Sequence, residues 1–128
     1  MFITDSRRVI EKMAEELLQS TQNLVTIDMQ DIEKVLQYQS VKSLYIDGTV
    51  ESVISTLKGY AADFADAKVA VMQISIPTAE ALKMQDVEDF LDAMRKEESR
   101  HFDIIWGISV KPEIPQGETV VFIVYAAD

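Results

Sequence analysis

Apolar residues recur at the i, i+3, i+4 and i+7 positions in four segments of this chain, a spacing typical of amphipathic helices. The first segment predicts a helix of about four turns, and Thr4, Asp5 and Ser6 precede it as candidate caps. Its apolar face either closes the core of this chain, which we favour, or pairs with another chain. A shorter helix is predicted from Met29 to about Gln37. The apolar positions of the first, third and fourth helices are Val9, Ile10, Met13, Leu17 and Leu18, then Val50, Val53, Ile54, Leu57, Ala61 and Phe64, then Met84, Val87, Phe90, Leu91 and Met94.

Four further segments have strand patterns, at residues 41–46, 68–76, 102–110 and 119–127. Apolar side chains occupy both alternating faces of the second segment, which predicts a strand covered on both sides. Helices separate the earlier strands and permit parallel pairs. The short Pro and Gly segment 111–118 favours a hairpin between the last two strands. The expected fold is therefore α/β or α+β, a mixed four-stranded sheet flanked by helices.

The composition narrows the classes of function. A chain of 128 residues with 48% hydrophobic content is long enough for one core, so we expect a single domain over residues 1–128. The formal net charge of -10 opposes binding to nucleic acid or to anionic membranes. The lack of cysteine excludes disulfides and thiolate metal sites, and no segment has the pattern of a secretory signal or a membrane-spanning helix. We therefore expect a cytoplasmic protein that binds neither nucleic acid nor membranes.

Few residues have the pattern of a chemical site. Asp28 and Asp31 lie where an extended linker, residues 24–27, gives way to the second helix. The simplest interpretation is that Asp28 caps this helix and Asp31 sits in its first turn. His101, the only histidine, has no nucleophile motif around it and is interpreted as ordinary surface or strand-edge chemistry. No catalytic residue, cofactor site or metal site is predicted.

Four segments, taken together and in order, resemble the C-terminal domain of FtsZ, the bacterial tubulin-like division protein. Residues 24–32 (LVTIDMQDI) are similar to the family's loop after its long central helix, with Asp28 and Asp31 on the family's two acids. Residues 68–74, 103–112 and 119–127 resemble strands of that domain. The resemblance makes residues 24–128 the body of an FtsZ C-terminal-like domain, and residues 1–23 a helix that resembles the end of the central helix.

The resemblance implies a protein-interaction module rather than an enzyme. In the family this loop touches the nucleotide of the next filament subunit, which implies that Thr26, Asp28 and Asp31 face a partner's nucleotide, with Thr26 in place of the family's Asn. The four glycines are isolated from one another, so no phosphate-binding loop is predicted. We expect a stand-alone domain without a GTP-binding domain and without a cofactor, whose partner is itself or an FtsZ-like protein. A structural homo-oligomer unrelated to division and an enzyme with sites between subunits are the alternatives.

Overall fold

The computed structural model describes residues 1–19, 23–94 and 103–127, which form six strands and five helices. The predicted helices are present with small changes at their ends, and the third continues after Tyr60 as a separate short helix. His101, interpreted from the sequence as surface or strand-edge chemistry, and Phe102, the first residue of the predicted strand 102–110, lie outside the described residues. In chain order the elements are β1 Phe2–Thr4, α1 Arg7–Leu18, β2 Asn23–Val25, α2 Met29–Leu36, β3 Ser40–Gly48, α3 Val50–Gly59, α4 Ala61–Phe64, β4 Val69–Ile76, α5 Met84–Met94, β5 Asp103–Val110 and β6 Thr119–Ala127.

The sheet has six strands in the order β1-β3-β6-β4-β5-β2, so the predicted count of four was too low. The two additional strands, β1 and β2, are the edges of the sheet and pair antiparallel with β3 and β5. Each has only three residues, which is too short for an alternating pattern to be recognised. The first two residues of the predicted extended linker, Leu24 and Val25, thus belong to the edge strand β2.

The predicted hairpin between the last two strands was wrong. β6 lies between β3 and β4 and is antiparallel to both, whereas β5 pairs with β4 in the predicted parallel direction. Val121 to Ala126 are all buried, and a strand that is apolar on both faces is most stable at the centre of a sheet. The connection 111–118 passes the end of β4, a distance of about two strand spacings, or roughly 10 Å, which eight residues span easily.

Helices cover both faces of the sheet and give two cores. Helices α3, α4 and α5 bury their apolar residues against one face, which includes Ala70, Met72 and Ile74 of β4. Helices α1 and α2 cover the other face, where Val71 of β4 lies. The prediction that this strand is covered on both sides is therefore confirmed. The apolar face of α1 closes the second core through Ile10 and Ala14, both fully buried, as favoured from the sequence.

Local chemistry fixes where the helices begin and how α1 meets α2. The side chains of Ser6 and Thr49 accept backbone N–H groups in the first turns of α1 and α3, which satisfies donors that a helix leaves unpaired. Arg7 donates from Nε to the carbonyl oxygen of Leu36 at 3.1 Å, and from its guanidinium to the carbonyl oxygens of Tyr38 and Gln39. One arginine therefore binds the carbonyl end of α2 to the start of α1.

Candidate functional site

The predicted partner-facing loop connects the edge strand β2 to α2. Thr26 is exposed, Ile27 is buried in the second core with 7% of its surface exposed, and Asp28 is exposed again. This alternation anchors the loop through one apolar side chain between two polar residues that face solvent. Thr26 and Asp28 therefore have a fixed place on the surface.

Asp28 and Asp31 form a reciprocal capping box at the start of α2. The Oδ1 atom of Asp28 accepts the backbone N–H of Asp31 at 3.2 Å, and the Oδ2 atom of Asp31 accepts the backbone N–H of Asp28 at 3.0 Å. Each carboxylate therefore stabilises the first turn of the helix, where negative charge is also favoured by the helix dipole. The prediction that Asp28 caps α2 and Asp31 lies in its first turn is confirmed.

The cap uses one oxygen of each carboxylate. A carboxylate accepts through two oxygens with about four lone-pair directions, so Oδ2 of Asp28 and Oδ1 of Asp31 keep accepting capacity beyond the cap bonds. Asp28 is exposed and Asp31 is half-buried. The arrangement is chemically able to accept hydrogen bonds from a water or a donor on another molecule without uncapping α2. That these residues face a partner's nucleotide remains a prediction.

The loop lies against β5 at a glycine. A β-carbon built at Gly107 would lie 2.9 Å from the carbonyl oxygen of Val25, 2.9 Å from Oε1 of Gln73 and 3.2 Å from Cγ2 of Ile27. The register between β2 and β5 is irregular at this point, because Asn23 pairs with Ser109 and Val25 with Ile108. The lack of a side chain at position 107 thus permits the close approach of the strand that leads into the loop.

Buried polar side chains lie beneath this contact. Gln73 donates from Nε2 to the hydroxyl of Ser109 at 2.9 Å, and the hydroxyls of Ser75 and Ser109 are 3.3 Å apart. Oε1 of Gln73 has no hydrogen-bond partner among the described residues, although Gln73 is only 3% exposed. This cluster of polar side chains was not predicted from the sequence. Gln73 and Ser75 alternate with apolar residues along β4, and they approach Ser109 only when β4 and β5 pair.

Apolar side chains are exposed beside the loop. Leu24 and Val25 of β2 are 46% and 37% exposed, and Ile105 of β5 is 39% exposed. Edge strands that expose both unpaired backbone groups and apolar side chains favour contact with another chain. Trp106, the next residue of β5, is half-buried and packs against the first core.

A second polar region, which the sequence analysis missed, lies at the opposite edge of the sheet. Two cavities of about 210 and 440 Å³ share the lining residues Lys42, Asp63 and Tyr125. Burial raises the pKa of Tyr125 to about 12, with a further contribution from the charge of Asp63. A signal was present in the sequence: Tyr125 carries the only polar side-chain atom in the run from Val121 to Ala126.

The described part of the chain offers no arrangement for a bound metal. Within residues 1–19, 23–94 and 103–127, no three side chains of Asp, Glu, His or Cys come together as a possible metal site. None of the helices in these ranges combines the length and the hydropathy that crossing a bilayer requires.

No protein-family model and no curated protein matches the sequence. Solved structures do match in fold. The FtsZ dimer of M. jannaschii has a TM-score of 0.58 at 13% identity, and the match covers 91% of this chain and 36% of that one. CetZ from Methanosaeta thermophila has 0.55 at 17%, covering 91% and 34%. TubZ from Bacillus thuringiensis, in GDP-form protofilaments, has 0.56 at 13%, covering 93% and 34%.

The chain spans about a third of the length of the solved chains it matches. At these identities the likeness concerns the fold, and it extends over the sheet and its flanking helices. The matched share of about a third of each solved chain is consistent with the C-terminal domain that the sequence resemblance indicates. The chain has the fold of the C-terminal domain of the FtsZ and tubulin proteins.

Proposed function

We propose that this protein is a non-enzymatic interaction module of the FtsZ and tubulin type, which self-associates or docks onto an FtsZ-like GTPase. Asp28 and Asp31 face the partner's nucleotide site and modulate its assembly or GTP turnover. The observation that supports this proposal is the capping box, which fixes two carboxylates at the start of α2, one exposed and one half-buried, and leaves one oxygen of each free of the cap bonds. Fixed carboxylates are suited to orienting a water for attack on a phosphate.

The surroundings of the loop also suit a protein partner. Leu24 and Val25 expose apolar surface on the strand that leads into it, and an interface commonly combines an apolar centre with polar residues at its rim. Among the proteins of similar fold are an FtsZ dimer and protofilaments of TubZ. Assembly through this edge of the sheet is the corresponding proposal for the present chain.

The decisive experiment separates the cap from the partner role. The double variant Asp28→Asn, Asp31→Asn keeps side-chain oxygens that accept the two backbone N–H groups, since Asn caps helices about as well as Asp, but it removes both charges. The protein is added to an FtsZ-like protein from the same cell, and GTP turnover and polymer length are measured. We expect the native chain to change one or both, and the double variant to lose most of this effect.

The matched control is Asp86→Asn. Asp86 also accepts a backbone N–H near the start of a helix, from Lys83 at 2.9 Å, but it belongs to α5 on the other face of the sheet. This variant is expected to behave like the native chain. The docking proposal is wrong if the native chain changes neither turnover nor polymer length, and the role of the loop acids is wrong if the double variant retains the full effect.

Self-association needs its own measurement. Light scattering over a range of concentrations is expected to show an oligomer, and the variant Leu24→Ser, Val25→Thr is expected to weaken it by removing exposed apolar surface. A native chain that remains monomeric at the highest concentration argues against self-association. An oligomer that binds no FtsZ-like protein would instead favour the structural homo-oligomer, and a ligand held in a cleft between subunits would favour the enzyme alternative.

A further inference from the structure

The cleft between α4 and the end of the sheet that carries β1 is the strongest candidate for a further site. The two cavities share Lys42, Asp63 and Tyr125 and together are called the cleft. Asp66 and Ser40 line the smaller cavity, and Ile3, Thr4 and Asp5 line the larger one. The larger cavity, about 440 Å³, is within the range of about 300–1,000 Å³ that is common for small-molecule pockets.

The register of the sheet brings Lys42 and Tyr125 together. They are direct partners on the antiparallel strands β3 and β6, so their side chains lie on the same face with β-carbons about 4.5–5.5 Å apart. Both residues line the cleft. The cleft is therefore lined by a side chain that carries an ammonium group and by one that carries a phenol hydroxyl, and both groups donate hydrogen bonds to an acceptor.

Tyr125 is the observation that indicates a ligand. Its side chain is 95% buried, with 5% exposed, and its ring packs edge-to-face on Phe64 with centroids 4.9 Å apart. The hydroxyl has no hydrogen bond to any residue in the described ranges, and it is not one of the buried unpaired atoms. The ring is thus fixed by packing while its hydroxyl remains available at the cleft.

The charges that line the cleft are of both signs. Lys42 forms no ion pair with Asp63 or Asp66 in the part of the chain that the structure describes. A simple anion would meet the three carboxylates of Asp5, Asp63 and Asp66, and a simple cation would meet the ammonium of Lys42. A molecule that carries both charges satisfies both sets of groups at once.

We propose that this cleft binds a small zwitterion of amino-acid size, with its carboxylate held by Lys42 and Tyr125 and its cationic nitrogen held by Asp63 and Asp66. The site is independent of the interaction loop. The loop follows β2 at one edge of the sheet, whereas the cleft includes β1 at the other edge. Failure of the interaction proposal therefore leaves this one standing, and the reverse also holds.

The test is a titration of the full chain with glycine, L-lysine and L-arginine. Binding is monitored through the NMR chemical shifts of Lys42, Asp63 and Tyr125. Two comparison ligands carry charge of one sign only. Agmatine, which is arginine without its carboxylate, carries only positive charge, and acetate carries only negative charge. We expect saturable binding of at least one amino acid, and if arginine binds, about tenfold weaker binding of agmatine, the loss of one charge-assisted interaction.

Two charge variants test the proposed roles. Lys42→Met is expected to weaken binding of the amino acid by up to about tenfold and to reduce the difference between arginine and agmatine, with Tyr125 supplying what remains, whereas Asp63→Asn weakens both of these ligands. Tyr125→Phe keeps the packed ring and is expected to weaken amino-acid binding alone. Lys58→Met and Asp89→Asn are the controls, because they make the same charge changes around a different cavity, between α3 and α5, and should leave binding unchanged.

Three results would overturn the zwitterion site. The first is that none of the three amino acids gives saturable shifts at millimolar concentration. The second is that agmatine binds as tightly as arginine, which would make the cleft a site for cations only. The third is that Lys42→Met strengthens amino-acid binding, because the ammonium would then repel the ligand rather than hold its carboxylate.

Discussion

Gly107 lies against Val25 so closely that a β-carbon on the glycine would stand 2.9 Å from the carbonyl oxygen of Val25. The Gly107→Ala substitution therefore requires β2 to move or Gln73 to rearrange, and we expect it to lower the free energy of unfolding by about 1–3 kcal/mol. Urea denaturation checks this value. Gly59→Ala is the control, because nothing lies within 4 Å of its β-carbon position and alanine is favoured in a helix by roughly 0.5–1 kcal/mol. Equal effects of the two substitutions would contradict the packing argument.

Arg7 is expected to stabilise the contact between α1 and α2 through its three carbonyl acceptors. Arg7→Lys keeps the charge but loses the planar fork that reaches several acceptors at once. We expect a loss of about 1 kcal/mol in the free energy of unfolding. Arg8→Lys, at the exposed neighbouring position, should change it by less than about 0.5 kcal/mol. A loss of the same size at Arg8 would mean that the arrangement of the carbonyls is irrelevant to the effect.

Two buried serines are expected to respond in opposite directions when they are changed to alanine. The hydroxyl of Ser43 finds no hydrogen-bond partner in the part of the chain that the structure describes, although the residue is 1% exposed. Ser43→Ala therefore removes an unsatisfied group and should stabilise the fold by up to about 1 kcal/mol. Ser109 accepts from Gln73 at 2.9 Å, so Ser109→Ala leaves a buried amide unpaired and should cost about 1–3 kcal/mol. Thermal unfolding of both variants measures the difference, and a shared sign would refute it.

Tyr125 should make the fold sensitive to alkaline pH. Its pKa is raised from 10.0 to about 12, first by burial and then by Asp63 and Tyr60, so the unfolded chain releases this proton at lower pH than the folded chain. The stability contributed by the neutral phenol is complete below pH 10 and is lost between pH 10 and about pH 12, by about 2–3 kcal/mol in total.

Chemical denaturation across this pH range measures the loss of stability in the native chain and in Tyr125→Phe. The fall in stability with rising pH should be much smaller in Tyr125→Phe, since phenylalanine does not ionise. A smaller decline will remain from Tyr45, whose pKa is raised by burial and by Asp47. The attribution to Tyr125 fails if the native chain and the variant decline in parallel.

The sequence predicted the elements better than their arrangement. Periodicity located α1, α3 and α5, and the two apolar faces of β4 correctly implied helices on both sides of the sheet. The position of β6 was missed because a short connection from β5 favours a hairpin locally, whereas burial of Val121 to Ala126 on both faces is a property of the whole sheet. A local sequence pattern does not show which of these two preferences is stronger.

The candidate sites divide in the same way. Asp28 and Asp31 are three residues apart, so their capping geometry follows from helix chemistry and was predicted from the sequence. Lys42 and Tyr125 are far apart in the chain and become neighbours only through the register of β3 with β6. The cleft that they line could not be predicted without knowing which strands pair.

The central position of β6 also has a consequence for the order of events during synthesis. β6 follows the other five strands in the chain, yet it alone joins β3 to β4. Until it leaves the ribosome, the strands form two separate groups, β1 with β3 and β4 with β5 and β2, each with an open apolar edge. Because domains are synthesised from the N-terminus at about 5–20 residues per second, the growing chain passes through a period in which no strand of its own joins the two groups. Completion of the sheet is therefore a late, long-range event, and this interval is when the chain is most exposed to aggregation or to a chaperone.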